Sequence, residues 1–255
     1  MSTWSELSEE LRQWSEEGRR AGLWWRDDDA KKTGPKLARL IALAKTSQVP
    51  LALAVIPGQV PDDLGLAFAG VPELAVLVHG LWHKNFAPSG EKKSEFGPYR
   101  PVAEMLDDVV VAFETLMVLF PKRTHPVFVP PWNRIDPELV ACLPMVRFRG
   151  LSQFGPRAAK YPVEGLIEVN CHMDLIDWRE KKGFVGEELA LSALISHLRS
   201  RRTGSVDAGE ATGILSHHDV MDDKSWQFLA ELFDRTKGSE VAHWFTMTEI
   251  FNLPK

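Results

Sequence analysis

Apolar runs of strand length alternating with segments of helical period predict a single-domain α/β protein built on a mostly parallel sheet of about seven or eight strands. The length, 255 residues, is ordinary for one α/β barrel. Polar and titratable residues follow the apolar runs directly, and that edge is where α/β proteins carry their chemistry. Periodicity alone does not separate a closed barrel from a doubly wound open sheet. No GxGxxG or P-loop sequence occurs, which counts against a dinucleotide or ATP site.

The chain opens with an amphipathic helix. Thr3-x-x-Glu6 forms a capping box, and Trp4, Leu7, Leu11 and Trp14 recur on one face, so residues 1–20 are expected to pack as a helix on a barrel domain of residues 21–255. Strands are expected at Leu23 to Arg26, Leu51 to Ile56, Leu74 to Val78, Val127 to Val129, Val146 to Leu151, Leu166 to Asn170, Gly213 to Ser216 and Val241 to Phe245. Apolar stripes at three-to-four spacing predict helices over Lys36 to Thr46, Val102 to Leu119, Glu187 to Arg199 and Ser225 to Arg235. The irregular stretch Lys84 to Pro101, with Pro88-Ser89-Gly90 and Glu91-Lys92-Lys93, reads as a surface loop long enough to be a lid or a binding edge.

Composition narrows the partners. With 44% hydrophobic and 25% charged residues and a net charge of −5, the chain has no electrostatic footprint for nucleic acid. Cys142 and Cys171 sit in no CxxC or CxxH arrangement and read as buried small hydrophobes. The first residues lack a basic segment followed by an apolar one, and no apolar run reaches membrane-spanning length. A cytoplasmic protein without a membrane partner is expected; a homo-oligomer is left open.

Five strand ends deliver reactive residue types. Leu23-Trp24-Trp25-Arg26 ends in Asp27-Asp28-Asp29, three adjacent like charges that call for a divalent cation or a solvated acidic turn. Leu74 to Val78 ends in His79-Gly80-Leu81-Trp82-His83, whose two imidazoles would converge on one ion from one face of a helical turn. Val127-Phe128-Val129 leads to Pro130-Pro131-Trp132-Asn133-Arg134. Leu166 to Asn170 leads to His172 and then Asp174-Leu175-Ile176-Asp177-Trp178. Gly213-Ile214-Leu215 leads to Ser216-His217-His218-Asp219, and only one of the adjacent histidines should face a site.

In this order the motifs resemble the polysaccharide deacetylase family, also called the NodB-homology domain, of the carbohydrate esterase type. The resemblance runs from Asp27 to His217 and includes a literal Asp-x-x-Asp-Trp at Asp174 to Trp178. It implies a deformed (β/α) barrel of about seven strands and a metal-dependent hydrolase that removes acetyl groups from N- or O-acetylated carbohydrates or related small amides. It also implies one divalent metal ion: zinc, or cobalt, nickel, manganese or iron. Asp28 becomes the general base and Asp29 a metal ligand beside His79 and His83; the other register gives Asp27 and Asp28. His217 becomes the acid, with His218 as the alternative, and Asp177 its orienting carboxylate. Trp132 and Trp178, with Pro131, Asn133 and Trp82 nearby, become substrate contacts. Three departures stand out: Gly80 replaces Ser or Thr, Lys84 replaces Pro, and Val129 replaces the arginine that holds the base, so that Arg134 or Arg26 supplies that charge or the base is held differently. They keep in view a non-catalytic carbohydrate-binding descendant, while the Asp-His-His face itself also admits a two-His-one-carboxylate iron enzyme.

Overall fold

The computed structural model describes residues 2–253 except 62, 69, 72, 180–182 and 239. Helix α1 (Trp4–Glu16) opens with the expected capping box, Glu6 N donating to Thr3 Oγ1 and Thr3 N donating to the Glu6 carboxylate. It lays Leu7, Leu11 and Trp14 into the main core, and its buried Glu10 accepts from Arg199 and Arg202. Then come β1 (Ala21–Ala30), α2 (Pro35–Ser47), β2 (Leu51–Val55), β3 (Leu74–Val78), α3 (Val102–Leu119), β4 (Thr124–Phe128) and α4 (Pro137–Cys142). The chain continues through β5 (Gly150–Leu151), β6 (Ile167–Glu168), β7 (Cys171–Asp174), β8 (Ile176–Asp177), β9 (Gly183–Phe184), α5 (Glu187–Arg202), β10 (Thr212–Ser216), α6 (Asp223–Thr236), β11 (Ala242–Trp244) and α7 (Met247–Ile250).

The main sheet runs β6-β5-β4-β3-β2-β1-β10-β7, with β11 pairing the start of β1, and every ladder in it is parallel. It curls, and a bridge from Phe154, beyond β5, to Cys171 of β7 links its two ends. The result is a deformed half-barrel. Alternation along β1 assigns its faces. Leu23 and Trp25 join the layer between sheet and helices, whereas Trp24 points inward among Ala52, Ala54, Ala75, Leu77, Val127 and Leu215. The small inner side chains of β2 and β3 leave room for the Trp24 indole, whose Nε1 donates to Asn170 O.

Several expectations are corrected. The strand expected at Val146 to Leu151 is reduced to Gly150–Leu151, because Leu143–Val146 forms a 3-10 turn that ends with Arg147 at φ 74°. That expected at Leu166 to Asn170 shrinks to Ile167–Glu168, and β7, which the pattern did not single out, pairs with β10. Helix α4 and the antiparallel β8–β9 pair also went unforeseen. The Lys84 to Pro101 stretch is more than a surface loop, since Ser94, Glu95 and Phe96 are buried. Cys171 is buried as expected, but Cys142 is only partly so, at the end of α4. Among the described residues no helix is long and apolar enough to cross a membrane.

Candidate metal centre

A strand that keeps its pleat turns successive side chains to opposite faces, so three adjacent aspartates cannot all serve one site. Strand β1 solves this with a bulge. Asp27 pairs with Leu53 but Ala30 with Val55, so three steps on β1 oppose two on β2, and Asp29 sits in the left-handed region at φ 70°. The triplet therefore splits three ways.

Asp27 is fully buried and turns toward β10. Its Oδ2 accepts from Ser216 Oγ at 2.6 Å and His218 N at 3.0 Å, and its Oδ1 accepts from His218 Nδ1. Asp28 turns inward to Arg26, whose Nε stands 2.9 Å from Oδ1 and whose Nη2 donates to Oδ2 at 3.0 Å. The Arg26 guanidinium, itself 0% exposed, also donates to Ser152 Oγ at 2.7 Å and Asn133 Oδ1 at 2.8 Å. Asp29 faces the histidines: its Oδ1 lies 3.2 Å from His79 Nε2 and 3.2 Å from His83 Nε2.

The two histidines do not sit on a helical turn. His79 extends straight off β3, Gly80 takes φ 62°, and His83 takes φ 54°. A left-handed residue directly after His79 stops any helix, and the loop brings the second ring back beside the first, centroids 5.2 Å apart. His79 Nδ1 donates to Val129 O at 2.9 Å, which turns Nε2 toward Asp29, as a lone pair in the neutral ring and as a donor in the protonated one. Position 129 thus contributes a backbone carbonyl where the related motif would carry arginine.

Charge in this cluster is strongly coupled. Burial would raise the Asp29 carboxyl, but the hydrogen bond from His79 and the charges of His79, His83 and His217 outweigh it and hold it well below the usual carboxylate range. Burial, then the neighbouring His79, pushes His83 down to about 4. His79 is raised, because Asp28 and Asp29 overcome its burial. One carboxylate and two imidazoles converge, with one ring drawn toward protonation. That is the donor chemistry of a divalent cation site, where the ion takes the place of the proton.

The remaining candidates fall around this cluster. His218 is turned to Asp27, whereas His217 is near enough for its charge to act on Asp29. His217 Nδ1 stands 3.9 Å from Asp174 Oδ1, and its ring meets the edge of Trp178 at 4.7 Å. Asp174, not Asp177, is therefore the carboxylate beside His217. Asp174 also accepts from Trp178 Nε1 at 2.8 Å, and burial raises its carboxyl against the pull of His217. Asp177 instead caps its own turn, accepting from Arg179 N. Arg134 does not reach Asp28; its Nη1 donates to Lys93 O at 2.8 Å. Trp132 packs on His83 with centroids 4.2 Å apart, at φ 57° and followed by Asn133 at φ 54°. Such paired left-handed side chains are costly and mark a constrained loop. Pro131 is buried, the Asn133 carbonyl is engaged by Arg26, and Trp82 and Trp178 are 52% and 44% exposed.

Sequence reasoning did not foresee Glu95, whose buried carboxylate accepts from Trp82 N at 2.8 Å and His83 N at 3.1 Å. Nor did it foresee a second histidine cluster, His172, His197 and Glu210. That cluster is a poor metal site. Gly213 N donates to His172 Nδ1 at 3.0 Å, so in the neutral ring Nε2 carries the proton toward Glu210 Oε2, 3.4 Å away, and offers no lone pair.

No family model and no curated protein matches the sequence. Solved structures do. A probable polysaccharide deacetylase from Pseudomonas aeruginosa superposes with a TM-score of 0.64 at 12% identity, over 92% of this chain and 90% of that one. A family 4 acetyl xylan esterase from Clostridium thermocellum, solved with a cobalt ion, gives 0.51 at 14% identity over 91% of each chain. A CE4 family pseudoenzyme from Bacillus anthracis gives 0.55 at 14% identity, over 92% of this chain and 66% of that one. The chain has the polysaccharide deacetylase fold. These neighbours are named as a probable deacetylase, an esterase and a pseudoenzyme.

Proposed function

We propose that the protein is a divergent metal-dependent deacetylase that removes acetyl, or a similar acyl group, from an N- or O-acetylated carbohydrate or related small amide. The observation that carries this reading is the convergence of His79 Nε2 and His83 Nε2 on one Asp29 oxygen, each at 3.2 Å. Asp29, His79 and His83 would hold a divalent ion, zinc or a similar metal. Once bound, that ion supplies a Lewis acid that polarises the acyl carbonyl and acidifies a water.

The chain's own groups supply the rest. Asp28, next to the ligand and fixed by Arg26, takes the water's proton on its carboxylate. His217 turns Nδ1 toward Asp174, leaving Nε2 to protonate the departing amine or alkoxide. Asp174 takes the orienting role that the sequence motif had suggested for Asp177. Trp132, Trp178 and Trp82 offer aromatic faces on which a sugar ring stacks. Arg26 supports catalysis in particular, because it restores through β1 the guanidinium that position 129 lacks.

A second reading, a non-catalytic carbohydrate binder, draws on the pseudoenzyme among the structural neighbours and on Gly80, Lys84 and Val129. The iron-enzyme reading is weaker on a parallel α/β sheet than on a jelly roll. The test is metal content and acetate release from acetylated sugars after reconstitution with zinc or cobalt. The wild-type protein is expected to take up one ion and turn over, His79→Ala to take up none, and Asp28→Asn to keep the ion but lose about 100- to 10,000-fold in rate. Metal uptake without turnover on any acetylated substrate would favour the binder; no uptake by the wild type would sink the metal centre.

A further inference from the structure

We propose that Glu95 is a positioning residue for the metal ligand His83, reaching in from the Lys84 to Pro101 loop to set the turn that carries it. The inference rests on the metal-centre reading above.

The turn from Gly80 to Lys84 has no helix or sheet to hold its amides, and His83 sits in a left-handed conformation that costs energy unless the surroundings enforce it. Glu95 supplies that enforcement. Its two oxygens accept from Trp82 N and His83 N. Charge-assisted bonds from successive amides are stronger and more directional than neutral ones. The carboxylate is 0% exposed, so it has no water to turn to instead.

Glu95 is itself fixed on both sides. Before it, Ser94 N donates to Asn85 Oδ1 at 3.0 Å, Phe86 N to Ser94 O at 2.9 Å, and Arg134 Nη1 to Lys93 O. After it, Asp136 N donates to Phe96 O at 2.7 Å, and Phe96 is buried. Gly80 completes the fit, because a Cβ there would overlap Glu95 Oε2 and Pro131 Cγ. Glycine at this position and the buried glutamate are two halves of one arrangement. Arg134 also acquires a role here, as an anchor of the segment that delivers Glu95.

The experiment measures zinc and cobalt affinity by chelator competition, with the visible spectrum of the cobalt form, for the wild type, Glu95→Gln and Glu95→Asp. Val109→Ala, a buried core residue of α3, serves as a control for general destabilisation. Glu95→Gln presents an amide donor to backbone donors, and Glu95→Asp falls one methylene short. Both are expected to lower metal affinity about 10- to 100-fold and to alter the cobalt spectrum, while Val109→Ala lowers the melting temperature without changing either. Wild-type affinity and spectrum in both glutamate variants would overturn the positioning role while leaving the metal centre standing. A control that loses as much affinity as the glutamate variants would overturn it too, by making the effect one of stability. Absence of metal from the wild type would remove the centre, and this role with it.

Discussion

Arg26 and Asp28 form a buried ion pair whose members cannot be removed singly without leaving a charge in the protein interior. Arg26→Met is therefore expected to destabilise the fold by about 3–5 kcal/mol, with Arg26→Met combined with Asp28→Leu recovering most of that loss. Urea denaturation of both variants checks it; equal losses would show that the pair contributes packing and not charge compensation. Arg26→Lys is not a conservative change here, because a point donor cannot span Asp28, Asn133 and Ser152 as the planar fork does. At Asp29, where φ is 70°, Asn keeps the backbone affordable while removing a carboxylate that His79 and His83 hold ionised, so Asp29→Asn is expected to bind no zinc and to lose stability at neutral pH. An unchanged melting temperature would show that the Asp29 charge contributes nothing to the apo fold.

At the scale of elements, helix α1 is fastened by Glu10, a buried carboxylate meeting Arg199 and Arg202 of α5. Glu10→Ala is expected to cost about 1–3 kcal/mol and to expose α1 to early hydrogen exchange, with the barrel amides unaffected. The elements the sequence displays best are those with a full period to read. Helix α3 and strand β3 match their expected bounds, and α2, α5 and α6 extend only slightly past theirs. Strands β5 and β6 were expected with bounds too wide and β7 was not singled out, because two- to four-residue strands are too short to alternate. Within the site, the Asp triplet and the His-x3-His pair were visible because like residue types recur at strand ends. Glu95 was not, since one glutamate in a Lys- and Ser-rich loop looks solvated until its amide partners are known. The Asp-x-x-Asp-Trp motif drew attention to its second aspartate, but β7 ends at Asp174, and that residue meets His217.

The whole molecule carries a pH response of its own. His172 and His197 stack at 3.4 Å between centroids, both buried. Burial pushes His197 down to about 2, helped by His172 and Arg201, and burial likewise lowers His172. Unfolded histidine titrates near 6.5. Below that value the unfolded chain takes up protons that the folded chain refuses, so stability is fully present above about pH 6.5 and falls as the pH drops, by about 1.4 kcal/mol per histidine per pH unit. Denaturation at pH 7 and pH 5 should show the loss, and His197→Leu should show a smaller one; an unchanged pH slope in that variant would locate the response elsewhere.

The bulge in β1 makes the length of the aspartate triplet matter separately from its chemistry. Substituting one aspartate subtracts a single group. Deleting one would rotate those beyond it by half a pleat, sending the ligand toward the arginine or the base toward Ser216. The run of three works as a ruler that counts residues between β10, the barrel interior and the histidines, and alignments that match aspartates in pairs will misread it by one.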